Sequence, residues 1–222
     1  MTFLNIFYLF YLGVVIPRAA FKSRKYLKGD FASAPRMRAY IATSISMALL
    51  ALMTGMVAWR NWDIDLFPTW TITPRQAAIG VGAMLIKLAY VFIRMKLGKG
   101  VSKETKSLAP VNAKERALFF VLVILGATAE ECAYRGLAFL ILREMTGSVI
   151  ISALLCAVAF GLAHAVQGNR AIVITFCYAL MDHAVYVLTA SLPILIITHF
   201  AYDAMMGLAL SRRASTVAPA EA

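Results

Sequence analysis

Apolar residues in this chain do not alternate with polar ones. They come in near-continuous runs, of which Ala39 to Ala58 is typical, and the charges collect in the stretches between them. A soluble core would repeat its apolar positions at helical or strand period. Runs of this length instead predict bilayer helices, because about 20 apolar residues cross the hydrocarbon and a helix satisfies its own backbone polar groups there. Seven helices are predicted, at 2–17, 38–59, 76–95, 116–142, 148–166, 171–189 and 192–210. The fold class is therefore all-α, a polytopic transmembrane helix bundle of about seven spans. The first run is short for a span. With no basic segment before it and no small-residue cleavage site after it, it reads as a retained anchor rather than a signal peptide.

Composition agrees: of 222 residues, 61% are hydrophobic and 15% charged. The net charge of +11 would suit a nucleic-acid partner, but the basic residues lie between the apolar runs, so no nucleic acid is expected. Arg18, Lys22, Arg24, Lys25, Lys28, Arg36 and Arg38 fall in the first loop, and Arg94, Lys96, Lys99, Lys103, Lys106, Lys114 and Arg116 in the third. With Arg170, Arg212 and Arg213, one side of seven spans holds 17 basic residues, against Arg60, Arg75 and Arg143 on the other. Lys and Arg accumulate in cytoplasmic loops, so the N-terminus is expected outside and the C-terminus in the cytoplasm, in a bacterial inner (cytoplasmic) membrane. Trp59, Trp62 and Trp70 cluster in or beside the second loop, where indoles favour the headgroup layer. The basic loops can also attract anionic membrane lipids. Cys132, Cys156 and Cys177 match no zinc or disulfide spacing and read as small buried hydrophobes.

No internal repeat is evident. The most polar stretch, Gly98 to Arg116, separates three N-terminal anchor helices (1–97) from a four-helix core (116–210). It reads as a basic cytoplasmic loop (98–115) within one membrane domain, and 211–222 as a cytoplasmic tail.

An ionisable side chain within a span costs a few kcal/mol, so each one suggests a function or a partner. The second half holds Glu130, Glu131, Arg135, His164, Asp182, His183, His199 and Asp203, with all three histidines among them. Glu131 and Arg135 are four apart with the acid first, the favourable order for a pair on one helix face. Glu130 points about 100° away and has no partner at helical spacing on its own helix, so it is free to face a cavity. His199 and Asp203 share a face and can orient each other. Asp182 and His183 read as members of a buried network, or as partners of Lys87, which itself can snorkel to the cytoplasmic surface.

Three motifs occur in order on successive core helices: Glu130-Glu131-Cys132-Ala133-Tyr134-Arg135, Phe160 to His164, and His199 to Asp203. Over residues 115–210 the sequence resembles the CAAX prenyl protease type II and bacteriocin-processing (CPBP, or Abi) family of intramembrane glutamic endopeptidases. That family's pattern is Glu-Glu-x-x-x-Arg, Phe-x-x-x-His and His-x-x-x-Asn or Asp. The resemblance implies a membrane protease needing no cofactor and no metal. It implies that Glu130, assisted by His164, activates a water that attacks a peptide carbonyl, with His199 and Asp203 supporting the oxyanion. Glu131, Arg135 and Phe160 would support the site. The implied partner is a protein or peptide substrate with a membrane-embedded or lipidated C-terminal segment. An ionised Asp203 would repel an oxyanion, so its expected role is to hold His199 as a donor. Alternatives stay open. A zinc hydrolase could use His164, His199 and Glu130 or Asp203, although no His-Glu-x-x-His motif is present. A noncatalytic regulator or a transporter-like proton relay could use the same acids and histidines.

Overall fold

The structure is a computed structural model that describes residues 2–24, 36–61, 64–67, 70–98 and 100–215, and its regular elements are all helical. Helix α1 spans Phe3–Arg24, α2 Arg36–Arg60, α3 Pro74–Lys96 and the short α4 Lys103–Ser107. Helix α5 spans Ala113–Thr146, α6 Val149–Ala163, α7 Asn169–Thr189 and α8 Leu192–Ser215. Six of these helices are long and apolar enough to cross a membrane, and α6 is a shorter apolar helix. The chain is an integral membrane helix bundle.

Local chemistry sets several boundaries. Helix α3 starts in a capping box, with the Thr73 hydroxyl accepting from the Gln76 N–H, the Gln76 side chain returning to Thr73, and Pro74 in the first turn. Helix α1 relaxes into a π-helical turn over Tyr11–Val15, just before Pro17, which has no N–H to offer the preceding turn. Gly147, at φ 65°, ends α5 in the left-handed conformation that a glycine adopts without strain.

Hydrogen bonds at the helix ends fix an alternating arrangement. At one end Arg24 donates to Asn169 (2.5 Å), Ser102 donates to the Gln167 carbonyl (3.0 Å), and Arg36 pairs with Glu115 (3.1 Å). At the other end Asn5 and Asn61 exchange amide hydrogen bonds (3.1 and 3.0 Å), and Gln76 donates to the Thr189 carbonyl (2.8 Å). The long helices and α6 therefore run up and down in turn.

Polarity is distributed for a lipid solvent. Leu49, Leu52, Ile86 and Ile150 are exposed, while Glu131, Arg135, Asp182 and Lys87 are buried. The core lies where Tyr8, Leu12, Leu50 and Val57 of α1 and α2 pack on Ala133, Leu137, Cys156 and Phe160. Cys156 and Cys132 are buried as expected; Cys177 is exposed.

Some sequence expectations change. The first helix is not a short run over 2–17 but continues to Arg24, so Arg18, Lys22 and Arg24 belong to a helix rather than a loop. Conversely, α6 has only 15 residues, roughly 22 Å of rise, and stops before His164. The polar stretch after Gly98 contains α4 and is tied to the α6–α7 turn through Ser102. Helix α8 runs five residues past position 210. Trp59 and Trp70 are exposed; Trp62, Lys25, Lys28, Lys99 and the end of the tail lie outside the described residues.

Candidate active site

Regular α-helix in α5 ends at Glu130, and a π-helical stretch runs over Glu131–Ala138, a widening often found at functional sites. It divides the adjacent glutamates. Glu131 is wholly buried, whereas the Glu130 side chain keeps 18% exposure and lines a cavity of about 420 Å³. As the i, i+4 spacing predicts, Glu131 Oε1 pairs with Arg135 Nη1 at 3.2 Å. Arg135 then reaches Asp182 on α7 (Nη2 to Oδ2, 3.2 Å), and Asp182 Oδ1 takes Lys87 Nζ of α3 at 2.5 Å. Lys87 does not snorkel outward; it is buried, with its ammonium 5.5 Å from the Tyr178 ring centre.

His164 caps the C-terminus of α6, and its Nδ1 lies 2.8 Å from the Phe160 carbonyl. A carbonyl oxygen only accepts, so the hydrogen bond assigns a proton to Nδ1, and in the neutral ring Nε2 is then the acceptor. The Phe160 ring has the His164 ring at 4.6 Å on one side and the Arg135 guanidinium at 4.2 Å. Tyr134 meets its edge at 5.0 Å. This phenylalanine therefore holds the spacing between the α5 charges and the α6 histidine.

His199 of α8 meets three carboxylates. Its Nδ1 lies 2.7 Å from Glu131 Oε1, and its Nε2 lies 3.4 Å from Asp203 Oδ2 and 3.8 Å from Glu130 Oε2. Glu131 thus holds one ring nitrogen, and Asp203, the partner that the i, i+4 spacing suggested, lies at the other. The contact across the bundle to Glu131 is the shorter, at 2.7 Å, and the Asp203 side chain is 41% exposed. Glu130, His164, His199 and Asp203 all line the same cavity, with Phe160 among them, and His164, His199 and Asp203 are electrostatic neighbours of Glu130. Lys87, Tyr178, Asp182 and Tyr202 also line it. Three dyads local in sequence thus converge, while the Glu131–His199 link gave no local signal.

The arrangement brings a glutamate and an imidazole to one space, with a second imidazole fixed by Glu131. Residues 112–205 match the family model described as Type II CAAX prenyl endopeptidase Rce1-like. No curated protein and no solved structure matches the chain. The matched segment contains all three motifs.

Proposed function

We propose that this chain is a membrane protease of the CPBP type and a glutamic endopeptidase, hydrolysing a peptide bond of a membrane-associated protein or peptide with water activated by Glu130 and His164. The observation that carries the reading is the convergence of Glu130, His164, His199 and Asp203 on one cavity between apolar helices. Glu130 takes a proton from water as the water oxygen attacks the carbonyl carbon, and His164 Nε2 accepts a hydrogen bond from the same water. The Glu130 proton then passes to the leaving amine. A proton on His199 Nε2 meets the developing oxyanion, and Glu131 fixes the ring from Nδ1 so that little reorganisation is needed. Asp203, 3.4 Å from Nε2, is an acceptor that keeps that proton aimed into the cavity. The substrate enters with a membrane-embedded or lipidated segment seated against the apolar walls.

Glu130→Gln tests the reading, because it removes the base and keeps the shape. Comparing the membrane peptidome of cells carrying wild type with that of cells carrying the variant identifies the substrate, and the purified proteins are then assayed on it. Turnover should vanish in a folded Glu130→Gln protein and survive chelation. Equal turnover in wild type and variant overturns the reading, and loss on chelation restored by zinc replaces it with the metal hydrolase.

A further inference from the structure

Lys87 is a lysine in the middle of a membrane helix, on an element outside the segment that matches the protease family. A long flexible cation at such a position normally reaches outward to the interface. Here the ammonium turns inward. It binds Asp182 at 2.5 Å, and the Tyr178 hydroxyl closes over the same residue by donating to the Lys87 carbonyl at 3.2 Å. From Asp182 the chain of contacts continues without interruption: Arg135 at 3.2 Å, Glu131 at 3.2 Å, His199 Nδ1 at 2.7 Å. Four helices, α3, α7, α5 and α8, contribute one link or more each.

The charges along this line alternate and balance, with Lys87 and Arg135 against Asp182 and Glu131. All four side chains are at most 8% exposed, so little water is present to compensate a missing member, and breaking one partner of such a network leaves an uncompensated charge. Arg135 sits between the two carboxylates. With Lys87 in place, Asp182 divides its charge between two cations, and Arg135 keeps one arm on Glu131. Without Lys87, Asp182 would draw the guanidinium to itself. Glu131, the group that holds His199, would lose its counter-ion. Phe160, over which the guanidinium sits at 4.2 Å and which also contacts His164, would feel the same displacement.

We infer that Lys87 is a positioning residue for His199, acting through Asp182, Arg135 and Glu131, so that an N-terminal helix outside the protease-like segment completes the site. As a role in turnover this rests on the proposed peptidase reading; as a statement about where His199 sits it does not.

The test compares Asp182→Asn, Lys87→Met and the double variant in the full chain, in detergent or liposomes. Each single change leaves one charge unbalanced, and the double leaves Arg135 and Glu131 as a neutral pair. Expected for either single variant is a kcat lower by roughly tenfold to a hundredfold, the scale of a slightly misplaced catalytic group, with KM within about twofold. The double variant should recover kcat to within about tenfold of wild type, because the residues act as one unit. Imidazole ¹⁵N resonances of histidine-labelled protein, with His199 assigned by its own substitution, should shift in the single variants and return in the double. A pair that merely stabilises the fold would lower thermal stability without moving kcat or the His199 signal, and that result overturns the inference. So does a double variant whose losses add. Should both single variants fail to fold, a folded double variant with a displaced His199 signal is sufficient to overturn it. If Glu130→Gln proves as active as wild type, the peptidase reading fails, and the resonance comparison still decides the positioning.

Discussion

At the scale of single residues, the adjacent glutamates take opposite duties because one helical step separates a cavity from a dry interior. Glu131 binds both Arg135 and His199, so Glu131→Gln is expected to damage stability and turnover together. Removing the charge should cost about 3 kcal/mol or more in unfolding free energy, read by denaturation in mixed micelles, and should loosen His199. Full stability with unchanged turnover would mean the network carries little. Asp203 stands at the other ring nitrogen, at the mouth of the cavity. Asp203→Asn can still accept from imidazole or donate to an oxyanion and should stay within about tenfold of wild type. Asp203→Ala leaves the His199 donor unheld and should lose ~10²–10³ in rate, the usual cost of a lost transition-state donor. His199→Ala should be at least as damaging, and the double variant little worse than His199→Ala alone. Additive losses on one peptide substrate would show that the two side chains act independently.

At the scale of elements, the site depends on how closely α6 approaches α7. Gly161 lies on that contact, three residues before His164. A Cβ there would meet the Ile172 carbonyl at 2.8 Å and Phe176 Cβ at 3.1 Å. Small residues let membrane helices meet at this distance. Gly161→Ala must push the helices apart, at a cost of about 1–3 kcal/mol, and should carry His164 away from Glu130. Gly82→Ala is the control, since its Cβ would meet nothing within 4 Å. Thermal unfolding in detergent and turnover should both fall for the first and not for the second; equal melting temperatures would show that α6 can shift freely.

At the scale of the whole molecule, charge supplies a testable proposal for the orientation in the membrane. The end where Arg24, Arg36 and Ser102 make their contacts also receives the ends of the basic loops, and we propose that it faces the cytoplasm. Reporter fusions after Arg38 and near Lys106 should report cytoplasm, and one near Asp65 the opposite side. A cytoplasmic signal at Asp65 would reverse the assignment. The same end contributes Ser102, Gln167 and Arg170 to the cavity lining, so in this orientation the cavity is reached from the cytoplasmic side.

The sequence by itself determined that the chain is a bundle of membrane helices, where most of those helices lie, though not how far the first and last extend, and which side chains form local pairs. Apolar runs and i, i+4 spacing are properties of neighbouring residues and need no partner from elsewhere. Glu131 with Arg135 and the burial of Asp182 were legible in this way. Tertiary structure decided what those side chains serve. The bond from His199 to Glu131 joins positions 68 apart and that from Lys87 to Asp182 joins positions 95 apart; no periodicity along the chain records either. The second hold on His199, from Glu131, was equally beyond local reading. It turns on the π-helical stretch in α5 and on how α8 crosses it, and such geometry is set by packing in a medium without water, where each buried charge must find its counter-charge across the bundle.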